Sequence, residues 1–265
     1  MTYREVQPGP AIRPFVECFW FLELEASDAP AVQRVVPDGS PELIFHLGSP
    51  FEWFHNGAWR VQPRCFLAGQ ITGPLLLRPT GPARIAGIRF LPHGAARVLR
   101  IPMHHATGRI VPLADLAPAL LRDFERACET GDTAALDTSL RPIRAVDALV
   151  HEAVCRIVSA RGAWDVSHLA RDLGITTRHL ERLFRDEVGL SPKLFCRIQR
   201  FQHIFQVIEG RRPDWVQAAL ACGYHDQAHL IRDFRDFAGE PPSLLLAEGD
   251  LARHFLRDPR PAIGS

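Results

Sequence analysis

The sequence predicts an α+β protein. A small antiparallel β barrel or sandwich with trailing helices is expected over residues 1–140, an all-α unit of two helix-turn-helix units joined by a linker helix over 141–249, and a short tail over 250–265. Three observations predict this. Up to about residue 90 the chain reads as short aromatic and β-branched runs cut by Pro, Gly and one Asn-Gly pair, the texture of antiparallel strands and tight turns. From Ile143 onward the apolar positions recur at helical spacing. Within that helical half a stretch is written twice: "GITTRHLERLFRDEVGLSP" from Gly174 and "GYHDQAHLIRDFRDFAGEPP" from Gly223.

In chain order, "PFVECFWFLEL", "ELIFHLG", "FEWFHNGAWRVQ", "RCFLAGQ", "GPLLLRP" and "ARIAGIRFLP" supply the strands, with Asn56-Gly57 as the turn of a hairpin. "PHGAARVLR" reads as a short helix, and "LADLAPALLRDFERACET" as one longer helix carrying Pro118 near its start. Polarity rises between Gly131 and Pro142, which places the boundary between the two units. Beyond it come "VDALVHEAVCRIVSA", the short "WDVSHLARDLG", the first echo, and "SPKLFCRIQRFQHIFQVIE" with Ser191 as N-cap and Pro192 at the first helical position. "DWVQAALACG", the second echo and "PPSLLLAEG" then repeat the order.

The echoes align at a constant offset of 50: His179 with His229, Leu180 with Leu230, Arg182 with Arg232, Phe184 with Phe234, Arg185 with Arg235, Gly189 with Gly239. In the first, Leu180, Leu183, Phe184 and Glu187 share one helical side. The other side presents Arg178, Glu181, Arg182 and Arg185, neighbours at i, i+3, i+4 and i+7. In the second, Leu230, Phe234 and Phe237 point inward, and Ala228, Ile231, Arg232 and Arg235 outward. Thr176 and Asp226 stand at equivalent cap positions, and Thr176 aims the free N–H groups of its helix outward, where a phosphate can bind. A short scaffold helix, a turn and a second helix with an outward arginine row is the geometry that enters a major groove. There Arg can take guanine O6 and N7, an apolar side chain can touch a thymine methyl, and Glu181 can accept from cytosine or orient a neighbouring Arg. Arg185 and Arg235, further along, are expected on phosphates, with Thr176 at the helix start. If the segment 191–209 is one helix, its 19 residues span about 28 Å, close to one turn of B-DNA. The competing reading is a helical protein-interaction scaffold attached to a ligand-binding barrel, which would put large apolar residues on those outward faces.

"VSHLARDLGITTRHLERLFRDEVGLSP" followed by "AALACGYHDQAHLIRDFRDFAGEPP" resembles the paired helix-turn-helix module of the AraC family of transcription regulators, over about residues 143–247. "RVVPDGSPELIFHLG" with "RFLPHGAARVLRIPMHHATGRIVPLADL" resembles an N-terminal domain of unassigned function from one branch of that family. The resemblance implies a sequence-specific DNA-binding regulator of double-stranded DNA. It puts the base-reading positions at Arg178, Glu181 and Arg182 in the first unit and at Gln227, Ala228, Ile231 and Arg232 in the second. It further implies an N-terminal domain that senses a small molecule or dimerises the chain, with RNA polymerase as another partner. Two departures stand out: Thr177 where the family often has Pro, and Pro241 where it usually has a capping Ser. Pro241 is expected to leave the last helix less firmly docked.

Composition sets outer limits. The formal net charge is +1, so bulk electrostatics selects no partner. Six cysteines without a CxxC pair fit buried thiols in a reducing compartment. The first residues lack an apolar signal core, and no run approaches about 18 apolar residues, so a cytoplasmic protein without membrane association is expected. No catalytic motif is present: there is no GxSxG elbow, no phosphate-cradling Gly-rich loop and no HExxH. No cofactor is expected, and no enzymatic activity. Asp38, Glu42 and His46 lie close in sequence, with Glu42 and His46 on one strand face, but they are too few for a closed metal site unless His93, His104 or His105 joins them. The plainer expectation is that Asp38 fixes its turn and His46 is a satisfied core residue. Aromatics are plentiful, at Phe15, Phe19, Trp20, Phe21, Phe45, Phe51, Trp53, Phe54, Trp59 and Phe66; some must form the barrel core, and any surplus could line an apolar pocket for an aromatic or acyl-like effector.

Overall fold

The computed structural model describes residues 2–25, 32–130, 134–140, 145–208 and 214–247. Ten strands come first: β1 (Thr2–Val6), β2 (Val16–Leu24), β3 (Gln33–Val35), β4 (Glu42–His46), β5 (Phe51–His55), β6 (Ala58–Val61), β7 (Cys65–Ala68), β8 (Leu75–Pro79), β9 (Ala83–Phe90) and, after a helix α1 (Gly94–Leu99) and a 3-10 turn at Met103–His105, β10 (Ile110–Pro112). They form two antiparallel sheets, one ordered β1-β2-β9-β4-β7-β10 and the other β3-β8-β5-β6. Asn56 and Gly57, with φ of 50° and 79°, make the tight turn between β5 and β6 that the Asn-Gly pair predicts.

Three helices trail the sheets: α2 (Leu113–Leu116), α3 (Pro118–Thr130) and α4 (Ala134–Ser139). The single helix expected across Pro118 is in fact two. Ala117 leaves the helical region, at φ −150° and ψ 74°, because the proline ring crowds the residue before it out of that conformation. Leu120, Phe124 and Ala127 of α3 then bury against the face of the larger sheet, Phe124 meeting Phe45 with ring centroids 5.8 Å apart.

The C-terminal half is helical: α5 (Ala148–Ser159), α6 (Val166–Asp172), α7 (Thr177–Glu187), α8 (Pro192–Val207), α9 (Trp215–Ala221), α10 (Gln227–Ala238) and α11 (Pro242–Ala247). Aspartates cap α5, α6 and α9 from Asp147, Asp165 and Asp214, each accepting from two backbone N–H groups. The two helix pairs repeat as α6–α7 and α9–α10. α6 and α9 begin 49 residues apart and α7 and α10 begin 50 apart, so the second turn is one residue longer.

One apolar core binds both pairs to α8. Phe201 of α8 meets Phe205, Phe234 and Phe237 at centroid distances of 5.1, 5.0 and 5.3 Å. Despite Pro241, α11 is seated: Leu245 is fully buried, and Pro241 lends its carbonyl to Leu244 N–H. The tail from Asp250 lies outside the described residues. Among the described residues no helix is long and apolar enough to cross a membrane.

Candidate nucleic-acid interface

Local chemistry builds the two candidate reading helices in the same way. Thr176 Oγ1 accepts from His179 N–H at 3.2 Å, and Asp226 Oδ1 accepts from His229 N–H at 2.7 Å, so each helix starts where the cap residues predict. The backbone bond from His229 and the bond with His225 hold the Asp226 carboxyl below the usual carboxylate range. Leu180 and Phe184, like Leu230, Phe234 and Phe237, are buried in the helical core. Each helix ends on a glycine in the left-handed region, Gly189 at φ 88° and Gly239 at φ 79°, a conformation in which a side chain would be strained.

The opposite faces are open. Thr176, Arg178, Glu181, Arg182 and Arg185 are exposed on α7, as are Gln227, Ala228, Arg232 and Arg235 on α10. Among the described residues Arg178, Arg182, Arg232 and Arg235 make no ion pair, while Arg185 Nε lies 3.1 Å from Asp186 Oδ1. Arg178, Glu181, Arg182 and Arg185 wall one side of a concave groove whose other side is the bend at Gly189, Leu190 and Ser191 leading into α8. Ser191 caps α8 through Leu194 N–H at 3.2 Å.

Ile231 departs from the expected pattern. It is half-buried and packs against the helical core, because the stripe that meets α8 and α9 on α10 is wide enough to include it. The sequence reading also missed Asp233. It is 1% exposed and paired to Arg197 of α8 at 2.7 Å, and Arg197 additionally reaches Asp236 at 2.5 Å. This buried ion pair locks α10 to the linker helix. An aspartate one position before a core phenylalanine gives no sequence sign of it.

The residues weighed as a metal set go elsewhere. Asp38 and Glu42 both pair with the buried guanidinium of Arg89, which Glu17 also approaches at 3.0 Å. Burial alone would lower the Arg89 pKa, but the three carboxylates hold it above its ordinary range. Asp38 does fix its turn, accepting from Ser40 N–H at 2.9 Å. His46 Nε2 is hydrogen-bonded to Gln62 Oε1 at 3.0 Å, and burial keeps its pKa low. His93 meets His151 of α5, and His104 approaches Asp186, so neither joins His46. Glu42, Ile44 and His46 do share a face, and it lines a cavity of about 100 Å³ between the sheets, walled by Trp20, Phe51, Trp53 and Phe66. Phe45 is one of the aromatics that form the core, fully buried under α3.

Two family models match the chain in order: a domain of unknown function (DUF6597) over residues 4–112 and a helix-turn-helix domain over residues 169–248. The arabinose operon regulatory protein of Salmonella typhimurium is 25% identical over 213 residues, covering 77% of this chain and 71% of that protein. The order of the two domains and the matched relative are those of AraC-family transcription regulators, which the chain resembles. Such regulators are sequence-specific DNA-binding proteins rather than enzymes. Among solved structures, ToxT from Vibrio cholerae in an apo form has a TM-score of 0.47 at 11% identity, covering 91% of this chain and 99% of that one. Another ToxT structure, with an unsaturated fatty acid bound, has a TM-score of 0.44 at 10% identity, covering 85% and 94%.

Proposed function

We propose that the protein is an AraC-family regulator that reads two successive major grooves with one chain, using α7 for one and α10 for the other. The observation that carries the reading is the pair of exposed arginine faces on repeated helices, both packed on the same 16-residue α8. At about 1.5 Å per residue α8 is about 24 Å long, shorter than the 191–209 span expected and than the roughly 34 Å between successive grooves. Arg178, Glu181 and Arg182 read bases in one groove, and Gln227, Ala228, Ile231 and Arg232 in the other. Half-buried Ile231 offers only its tip to a thymine methyl. Thr176, Arg185 and Arg235 hold phosphates.

Residues 1–140 serve as the sensor or dimerisation unit and 141–249 as the DNA-binding unit. The cavity between the sheets is the effector site, its aromatic walls suiting an aromatic or acyl-like molecule and its His46–Gln62 pair supplying a polar anchor. A second copy of the chain and RNA polymerase are the protein partners this reading includes, and the cytoplasm its compartment.

Selection of bound fragments from random-sequence DNA with the purified full chain tests the core of the proposal. The expected result is a motif of two half-sites, each degraded at its own bases by substitutions in its own helix. A motif confined to one half-site, insensitive to substitutions in α10, would contradict it.

A further inference from the structure

The β-rich half does not hang from the helical half by its connecting segment alone. It grips both reading helices at their C-terminal ends. Thr107, in the turn after Met103–His105, donates its hydroxyl to the Gly189 carbonyl at 2.6 Å, just past the end of α7. Arg34 of β3 donates to the Ala238 carbonyl and pairs with Glu240 at 2.8 Å, just past the end of α10. Gly189 and Gly239 are the 50-offset partners that close the two helices; the first grip falls on Gly189 and the second on the residues flanking Gly239. Arg97 of α1 adds an ion pair to Glu187 at 2.6 Å beside the first grip. Burial raises the Glu187 pKa against the pull of that guanidinium.

Between the grips a third contact engages the linker. Val36, 2% exposed, inserts into the helical core, while Gln202 and Gln199 of α8 donate to the carbonyls of Pro37 and Asp38 at 2.5 and 3.2 Å. Arg89, buried among three carboxylates, ties Asp38 of this loop back to β9.

All three contacts lie away from the base-reading positions, which cluster at the N-terminal ends of α7 and α10. A domain that masked DNA binding would cover those ends. This one holds the opposite ends and leaves the arginine faces open. We infer that the N-terminal domain is a brace that sets the separation and relative orientation of the two reading helices, with Thr107 and Arg34 as the positioning residues at its two ends. The spacing of the two DNA half-sites is then fixed by the brace as well as by α8.

The inference rests on the two-groove reading, and the test separates their failures. The full chain is bound to duplexes in which the two half-sites are moved apart or together one base pair at a time, each step turning one site by about a tenth of a helical turn. The expected wild-type profile is a single spacing, with a loss of at least about tenfold for one base pair of misplacement, comparable to a base mismatch. The double variant Thr107→Val with Arg34→Met should keep the base preference within each half-site but bind neighbouring spacings within about threefold of the best, leaving a discrimination of about 0.65 kcal/mol or less. Thr107→Ser with Arg34→Lys, which keep a donor at each grip, should restore the narrow profile.

A double variant with the wild-type spacing profile overturns the brace while leaving the two-groove reading standing. A wild-type chain indifferent to spacing overturns both. If the double variant does not fold, Thr107→Val and Arg34→Met are read singly. Each should broaden the profile, and two unchanged profiles overturn the brace.

Discussion

Arg182 and Arg185 share one exposed flank of α7 but are assigned different work. In the proposed reading Arg182 takes a base edge and Arg185 a phosphate. Arg182→Ala should therefore lose about 1–3 kcal/mol of preference at one base pair, whereas Arg185→Ala should weaken all sequences alike and reduce the salt slope of binding by about one. Competition binding against single-base variants at two salt concentrations checks both, and equal losses on every sequence for Arg182→Ala would make it a phosphate contact. These side chains were legible in the sequence because solvent exposure on a repeated helix follows from spacing alone.

His93 was not legible in the same way, since its role depends on a partner 58 residues away. Burial, with His151 and Arg97 nearby, pushes its pKa down to about 4 from 6.5, so the folded chain keeps it neutral while the unfolded chain binds a proton between those values. Its contribution to stability is full above about pH 6.5 and is lost as the pH falls toward 4, at up to about 1.4 kcal/mol per pH unit. Urea unfolding at pH 7 and pH 5 should show this loss, and His93→Gln should flatten it. An unchanged pH dependence in that variant would assign the acid sensitivity elsewhere.

Among the elements, α8 is the structural centre of the helical half. Phe201 touches three other phenylalanines, two of them on α10, so Phe201→Ala should cost about 3–5 kcal/mol by opening a cavity between the linker and the second reader. Asp233→Ala should cost less, about 1–3 kcal/mol, because Arg197 keeps partial exposure and a second partner in Asp236. Both are read by denaturant unfolding, and a cost for Asp233→Ala below about 0.5 kcal/mol would reduce the pair to a surface contact.

Helix starts were readable because Ser191, Thr176 and Asp226 sit one residue ahead of an apolar period, and the repeat confirmed each copy against the other. The break at Ala117 was missed for a physical reason: a proline near a helix start is tolerated at the first position only, and Pro118 holds that position in α3 rather than inside a longer helix. The Ile231 error came from treating the apolar stripe of α10 as no wider than that of α7.

For the whole molecule, the two-part plan was visible in the switch from alternation to helical period, but the contact between the parts was not. Arg34 with Glu240, Thr107 with Gly189 and Gln202 with Pro37 join residues 206, 82 and 165 positions apart, and nothing in local pattern marks such pairs. The Asp38, Glu42 and Arg89 cluster illustrates the same limit. Two carboxylates and a nearby histidine invite a metal in the sequence, while the fold supplies a distant arginine and sends the histidine to Gln62.

In the proposed reading one chain presents two arginine-bearing helices to adjacent major grooves. Chemical footprinting of the full chain on its selected site, with the number of bound chains counted on the same complex, tests it most directly. One chain per site protecting two major-groove segments about 10 base pairs apart is the predicted result. A single protected segment per chain, with a second segment appearing only when a second chain binds, would contradict it.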